Sequence, residues 1–225
     1  MCGRFTLTTG EAEVAAFLEG IAVEVPLTPR YNIAPTQDIA VVVNSAPPAL
    51  RLAHWGLIPA WAKDRALAAR MINARAETVH EKPAFRKAFK SRRCLILADG
   101  FYEWQAIPGS AKKQPIYFRR RDAGLFAMAG LWERWRDPEG ETVLSTTIVT
   151  TAANATLADF HHRMPVILDP RDHTAWLATD DPAPDALRAL LAPCADDLLE
   201  AYPVSTRVNR PSFDDPACVE RVSPA

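Results

Sequence analysis

Nineteen prolines against nine glycines in 225 residues set the strongest constraint on how this chain folds. Each proline fixes φ and removes a backbone donor, so it interrupts helices and central strands and favours turns of preset conformation. The chain has to be assembled from short elements joined by ordered loops. Between the breakers lie β-branched, aromatic or alternating runs at Ile39–Val43, Leu50–Trp55, Arg93–Ala98, Pro115–Arg119, Leu125–Trp132 and Val143–Thr150, which read as strands. Thr8-Thr9-Gly10-Glu11 has capping-box spacing, and Val14, Phe17, Leu18 and Ile21 follow at helical intervals, predicting a helix over about residues 9–19 that stops near Gly20. Lys82-Pro83-Ala84-Phe85 opens another, with proline in its first turn and Phe85, Ala88 and Phe89 as its apolar stripe. Residues 170–178 and 184–191 carry two more helical patterns, Val204–Val208 reads as a last strand, and a proline-punctuated tail comes after it. With no internal repeat, low-complexity tract or Gly/Ser linker, the expectation is one α+β domain over residues 1–225, with a mainly antiparallel β core.

Several function classes are excluded at this level. No apolar stretch of about 18 residues exists and no apolar segment opens the chain, so neither a membrane span nor a secretory signal is expected. The cysteines at 2, 94, 194 and 218 form no CxxC pair, unlike a disulfide framework, and a reducing cytoplasm is the expected home. His54, His80, His161, His162 and His173 lack ligand spacing with cysteine or carboxylate, so no metal is expected. Neither a Walker loop nor GxGxxG occurs, so no nucleotide cofactor is expected either.

The formal net charge of −1 conceals an uneven distribution. From Lys63 to Arg93 ten basic residues face three acids, whereas from Asp169 to Tyr202 eight acids face two arginines. A basic run is commonly just a solvated face. Trp55, Trp61 and Trp104 around it make a second reading available, since cations interleaved with flat aromatics suit stacked single-stranded nucleic acid.

Cys2 carries distinctive chemistry. Removal of Met1 would leave a free α-amine and a thiol on adjacent carbons. An α-amine titrates near pKa ~8, so part of it is neutral and nucleophilic where a lysine, near ~10.4, is not. Amine and thiol together can close on an aldehyde as a five-membered thiazolidine, which neither a lysine nor an internal cysteine can form.

Six ordered motifs accompany Cys2: Met1-Cys2-Gly3-Arg4-Phe5, Tyr31-Asn32-Ile33-Ala34-Pro35, Trp55-Gly56-Leu57-Ile58-Pro59, Asn73-Ala74-Arg75-Ala76-Glu77-Thr78, Asp99-Gly100-Phe101-Tyr102-Glu103-Trp104 and His161-His162-Arg163-Met164-Pro165. In these the chain closely resembles the SRAP family, the SOS-response-associated peptidases or abasic-site processing proteins, from residue 1 to about 210. The resemblance implies a β-barrel-like core with short peripheral helices and a positively charged groove for single-stranded DNA. It also implies covalent capture of abasic sites by the N-terminal cysteine.

Carried over position by position, it makes Cys2 the nucleophile and Asn73, Glu103 and His161 its companions. Glu103 would shuttle protons in imine formation. His161, chosen over His162 because the resemblance puts it at the family's fixed position before x-Arg-(Met)-Pro, would protonate the sugar ring oxygen; in a strand the two would point to opposite faces, so that only one faces the site. Asn73 would hold amine and sugar through a neutral amide. Arg4 and Arg75 are the expected phosphate clamps, each with the alternative of a structural ion pair, for example to Glu77. Arg86 adds a further contact by position, Trp61 a stacking or wedging surface, and Pro35 and Thr150 contacts near the sugar-phosphate. Two other activities stay open, a cysteine peptidase acting on other proteins and a non-covalent single-strand binding module. Met1 could be removed by a general aminopeptidase or by the protein's own peptidase activity, and a lyase step could come after capture. A monomer is the default.

Overall fold

A computed structural model describes residues 2–180 and 182–223. In chain order the strands are β1 (Phe5–Leu7), β2 (Arg30–Ile33), β3 (Asp38–Val43), β4 (Ala49–Trp55), β5 (Asn73–Arg75), β6 (Arg93–Ala98), β7 (Gly100–Ala106), β8 (Lys113–Arg120), β9 (Phe126–Arg136), β10 (Thr142–Ala152), β11 (Arg163–Pro165), β12 (Ile167–Leu168) and β13 (Leu199–Pro203). The helices are short: α1 (Glu11–Phe17), α2 (Arg86–Ser91), α3 (Ala155–Ala158), α4 (His173–Leu177) and α5 (Pro184–Ala189). Among the described residues no helix is long and apolar enough to cross a membrane.

The architecture is α+β around a closed five-stranded barrel. Strands β4, β3, β6, β9 and β10 pair in that order, antiparallel throughout, with Val41 opposite Arg51, Val42 opposite Leu95, Cys94 opposite Gly130 and Leu131 opposite Thr147. A parallel pairing of β10 with β4, Thr146 opposite Trp55, closes the ring. Every residue of β6 is buried, as befits a strand with two covered faces. Gly130 admits the barrel's interior packing, since a Cβ there would lie 2.7 Å from Ile96 Cδ1 and 2.8 Å from Cys94 Sγ.

A second, antiparallel sheet in the order β13-β8-β7-β1-β2 packs beside the barrel. Aromatic rings join the two: Phe5 meets Trp55 edge-on at 5.1 Å, and Phe101 stacks on Phe118 at 5.1 Å while meeting Phe126 edge-on. The chain passes from barrel to sheet at Asp99-Gly100, between β6 and β7. Asp99 Oδ1 accepts from the Thr6 hydroxyl, and Oδ2 accepts from the amides and hydroxyls of both Thr8 and Thr9. Gly100 is needed for close approach, because a Cβ there would sit 2.1 Å from the Tyr117 hydroxyl. Gly100→Ala is expected to destabilise the protein by about 3 kcal/mol, the upper end for overpacking, read from urea unfolding midpoints.

All six sequence-read strands are present, as are helices within 9–19, 170–178 and 184–191. Other local readings need correction. The capping box does not form, because Thr8 and Thr9 are committed to Asp99 and Gly10 precedes α1 with no side-chain cap. The helix expected from Lys82 starts at Arg86, although the Arg86 N–H already bonds the Lys82 carbonyl. The last strand is Leu199–Pro203 rather than Val204–Val208: only Val204 makes an isolated bridge, to Arg221, and Ser205 caps a 3-10 turn over Thr206–Asn209.

Candidate active site

Cys2 is fully buried at the head of β1. Its carbonyl accepts a 2.9 Å hydrogen bond from Asn73 Nδ2, which reaches over from β5. The other amide atom, Asn73 Oδ1, is buried without a hydrogen-bond partner among the described residues. A buried acceptor left open costs about 1–3 kcal/mol, so this oxygen is set to receive a donor beside Cys2. Burial pushes the Cys2 thiol far above an ordinary cysteine, and the negative field of Glu103 adds to the effect. Glu103 stands on β7 opposite Ile116, only 3% exposed. Burial raises its carboxyl above an ordinary glutamate, against the opposing influence of His162 and Lys113. A carboxyl so placed holds its proton to higher pH and suits proton shuttling.

His161 does not lie in a strand; it precedes β11, and its ring stacks on that of His162 at 4.4 Å. The expectation that the two histidines point to opposite faces is therefore corrected, since the loop turns both rings the same way. Burial lowers the affinity of His161 for a proton, and His161 in turn lowers that of His162. Strands β5 and β11 both pair with β10, Thr150 standing opposite Arg75 on one and Pro165 on the other. Asn73 and the histidines are thus brought in on the barrel side, and Cys2 and Glu103 on the sheet side.

A groove runs past Asn73, lined by Trp61, Met71, Arg75, Lys82 and Phe85. Trp61 is 61% exposed, and its far side borders a second depression with Lys63, Leu67 and Arg70. Eight of the ten basic residues from Lys63 to Arg93, Arg75 and Arg86 included, are exposed. The other two are structural: Arg92 pairs with Glu133, and buried Arg93 donates to the carbonyls of Trp176, Phe89, Lys90 and Ala178.

Arg4 and Thr150 are placed differently from their expected roles. Arg4 is 9% exposed; its Nη1 donates to Asn32 Oδ1 at 2.6 Å and to the Val208 carbonyl at 2.7 Å, and its guanidinium lies over Trp104. The sequence put it forward as a phosphate clamp, but its Nη1 fastens the N-terminal strand to the C-terminal segment. Thr150 is fully buried inside the barrel wall, with its hydroxyl 3.4 Å from the Ala74 carbonyl, and presents no surface to a ligand. Pro35 is half-buried in the turn after β2. The ion-pair partner of Glu77 is neither Arg4 nor Arg75 but Arg163, whose guanidinium meets both carboxylate oxygens. Arg163 and Glu77 both stand in motifs already read from the sequence, but a contact 86 residues apart left no local signal. Among the described residues no three His, Cys, Asp or Glu side chains gather as a metal site.

The family model described as "SOS response associated peptidase (SRAP)" matches residues 1–211. Abasic site processing protein YoqW of Bacillus subtilis (strain 168) is 43% identical over 223 residues, covering 98% of this chain and 99% of that protein. Abasic site processing protein HMCES of Mus musculus is 32% identical, covering 85% of this chain and 64% of that protein. The crystal structure of a protein from Bacteroides thetaiotaomicron superposes with a TM-score of 0.87 at 29% identity, covering 99% of this chain and 100% of that one.

Proposed function

The chain belongs to the SRAP family, and on that premise we propose that it processes abasic sites in single-stranded DNA by covalent capture on Cys2 once Met1 is removed. The observation that carries the reading is the grip of the Asn73 amide on the Cys2 carbonyl at 2.9 Å, with a buried Glu103, its carboxyl raised above an ordinary glutamate, close enough to act on the thiol. The name of the relatives supplies the damage class.

In this reading His161 protonates the ring oxygen of the abasic sugar as the anomeric hydroxyl gives up its proton to water, so that the ring C–O bond breaks and the aldehyde opens. The neutral α-amine adds to the aldehyde carbon, and its proton passes to the carbonyl oxygen to give the carbinolamine. Glu103 gives its proton to the carbinolamine hydroxyl, which leaves as water, so that the C–O bond breaks and an iminium remains. The thiol then adds to that carbon, the C–S bond forms, and its proton returns to Glu103. One water is lost overall. Thiol and iminium belong to the same residue, so ring closure is intramolecular and gains accordingly in effective molarity. The amine-first order needs no thiolate, whereas a peptidase attacks through one.

The strand would follow the groove past Trp61 and Arg75, with Arg86 on the α2 flank. Pro35 would border the sugar, while Arg4 and Thr150 would act as scaffold behind it. One chain supplies every group used, so a monomer suffices. Trp61→Ala is expected to weaken single-strand binding about tenfold, within the 1–3 kcal/mol of a stacked base, and to leave the melting temperature unchanged because the ring is exposed. Arg75→Ala should lower affinity on every sequence alike and reduce the slope of log K against log salt by about one; fluorescence anisotropy from 50 to 200 mM salt reads both (about a fourfold range, where such slopes are resolved).

The deciding experiment mixes N-terminally mapped protein with a single-stranded oligonucleotide bearing one abasic site and reads intact mass under denaturing conditions. The expected species is protein lacking Met1 plus oligonucleotide less one water, absent with undamaged DNA. Protein lacking Met1 that forms no adduct would overturn the reading. Cleaved oligonucleotide would reveal a lyase step, and loss of Met1 during incubation of pure protein a self-processing one.

A further inference from the structure

Arg163 links the two barrel-side flanks of the site. Its guanidinium meets both Glu77 oxygens, with Nη2 to Oε2 at 2.9 Å, and Nη2 also donates to the Thr150 carbonyl at 2.6 Å. Thr150 lies on β10 between the strand carrying Asn73 and Arg75 and the strand that comes after the histidines. The same carbonyl accepts from the Ala76 N–H at 2.8 Å, one residue before Glu77. The backbone of Arg163 holds the His161 ring: its N–H donates to Nδ1 at 2.9 Å, and its carbonyl lies 3.1 Å from the same nitrogen.

We infer that Glu77 is a positioning residue for His161, acting through Arg163. The effect on rate rests on the covalent-capture reading; the effect on the imidazole does not. In the neutral ring with its proton on Nε2, Nδ1 accepts from the Arg163 N–H. In the tautomer with its proton on Nδ1, that N–H donates to the Arg163 carbonyl instead, so a proton taken up at Nε2 is released again from Nε2 while the Nδ1 hydrogen bond persists. One peptide segment thus serves each state, and the ring can pass a proton through Nε2 without turning, which keeps it aligned. That segment keeps its place because the side chain of Arg163 is anchored on Glu77 and Thr150. Among the described residues, the charged and titratable groups that act on His161 include Lys113, Arg163 and the stacked His162, with Arg75 beyond it acting on His162. Glu77, its own acidity strengthened by the hydrogen bond from Arg163, answers Arg163 and Arg75, while Glu103 faces Lys113 and His162.

Glu77→Gln tests the inference. The residue is half-exposed (52% at the side chain), so the variant is expected to fold, which circular dichroism and thermal melting check. Removing a negative charge that acts on Arg75 and Arg163 should tighten abasic-DNA binding slightly, whereas a loosened His161 should slow adduct formation at saturating DNA about tenfold, on the scale of a misplaced catalytic group. Rate and affinity then move in opposite directions, which loss of stability alone would not produce. Without DNA, the His161 ring nitrogens in a two-bond ¹H–¹⁵N spectrum, assigned against His161→Gln, should shift toward those of an unrestrained imidazole. An unchanged saturating rate together with an unchanged ring spectrum would overturn the inference. Should wild-type protein form no adduct, the capture reading falls on its own and the ring spectrum alone decides: a shift upholds the positioning role and no shift ends it.

Discussion

Cys2→Ala is expected to abolish the denaturant-stable adduct with abasic single-stranded DNA, a loss above about a thousandfold for removal of a covalent nucleophile, while affinity for the same DNA stays within about twofold because the groove cations set it. The alanine variant keeps an α-amine, so it can still condense with the aldehyde to an imine, which water reverses. What it lacks is the thiol that closes the ring. Borohydride should therefore trap a reduced imine on the variant, whereas the wild-type adduct should need no reductant. Methylating the α-amine of wild-type protein to a tertiary amine, with the thiol left free, should abolish both species. That arm separates covalent capture from thiol-only proteolysis, which a blocked amine would leave intact. Cys2 is fully buried, so the substitution also removes some packing, and a melting curve has to show that the variant is folded at the assay temperature. A denaturant-stable adduct formed by Cys2→Ala at the wild-type rate would sink the role of the thiol.

The barrel strands were readable because each is a β-branched or apolar run between turn residues, and Arg93–Ala98 is buried throughout, which hides nothing from a hydrophobicity pattern. Closure of the barrel was not readable, since it depends on a parallel contact between Thr146 and Trp55, far apart in sequence. The same limit explains the local errors. Thr8 and Thr9 look like a helix cap until Asp99, some 90 residues away, takes their donors. Arg4 looks like an anion clamp until Asn32 and the Val208 carbonyl share its guanidinium. Val204–Val208 has strand composition, but Ser205 caps a turn at that point. The motif residues Cys2, Asn73 and Glu103 were legible as a set through the resemblance to a family. Their burial was not, because Gly100–Ala106 is not among the runs that read as strands, and a lone glutamate there carries no sign that it is covered. The acidity of Glu103 is set by that burial, so its chemistry became legible only in the folded chain.

That burial ties activity to stability, and Glu103→Gln should separate them. Glutamine keeps the shape of the side chain but can neither give nor take the proton, so adduct formation should slow by about 10²–10³-fold, within the range of general acid–base catalysis. The same substitution should make the protein harder to unfold at and above neutral pH. The folded-state acidity of Glu103 is shifted upward by burial, so the native protein holds this proton more tightly than the unfolded chain does. Below the ordinary glutamate range, about pH 4, both states are protonated and wild type and variant should have equal urea midpoints. As pH rises, the unfolded chain ionises first, and wild-type stability falls until the buried carboxyl has also lost its proton. The glutamine variant has no such loss, so its midpoint should exceed that of wild type by an amount that grows with pH and then levels off. A midpoint difference that stays constant across pH would mean that Glu103 does not titrate as a buried acid. An unchanged rate would remove it from the proton path. The two results together would leave Asn73 and His161, among the described residues, as the candidates to serve the chemistry at Cys2. Slower capture in a sturdier protein is the expected pair, because burying a titratable carboxyl beside Cys2 costs stability that the glutamine variant does not lose.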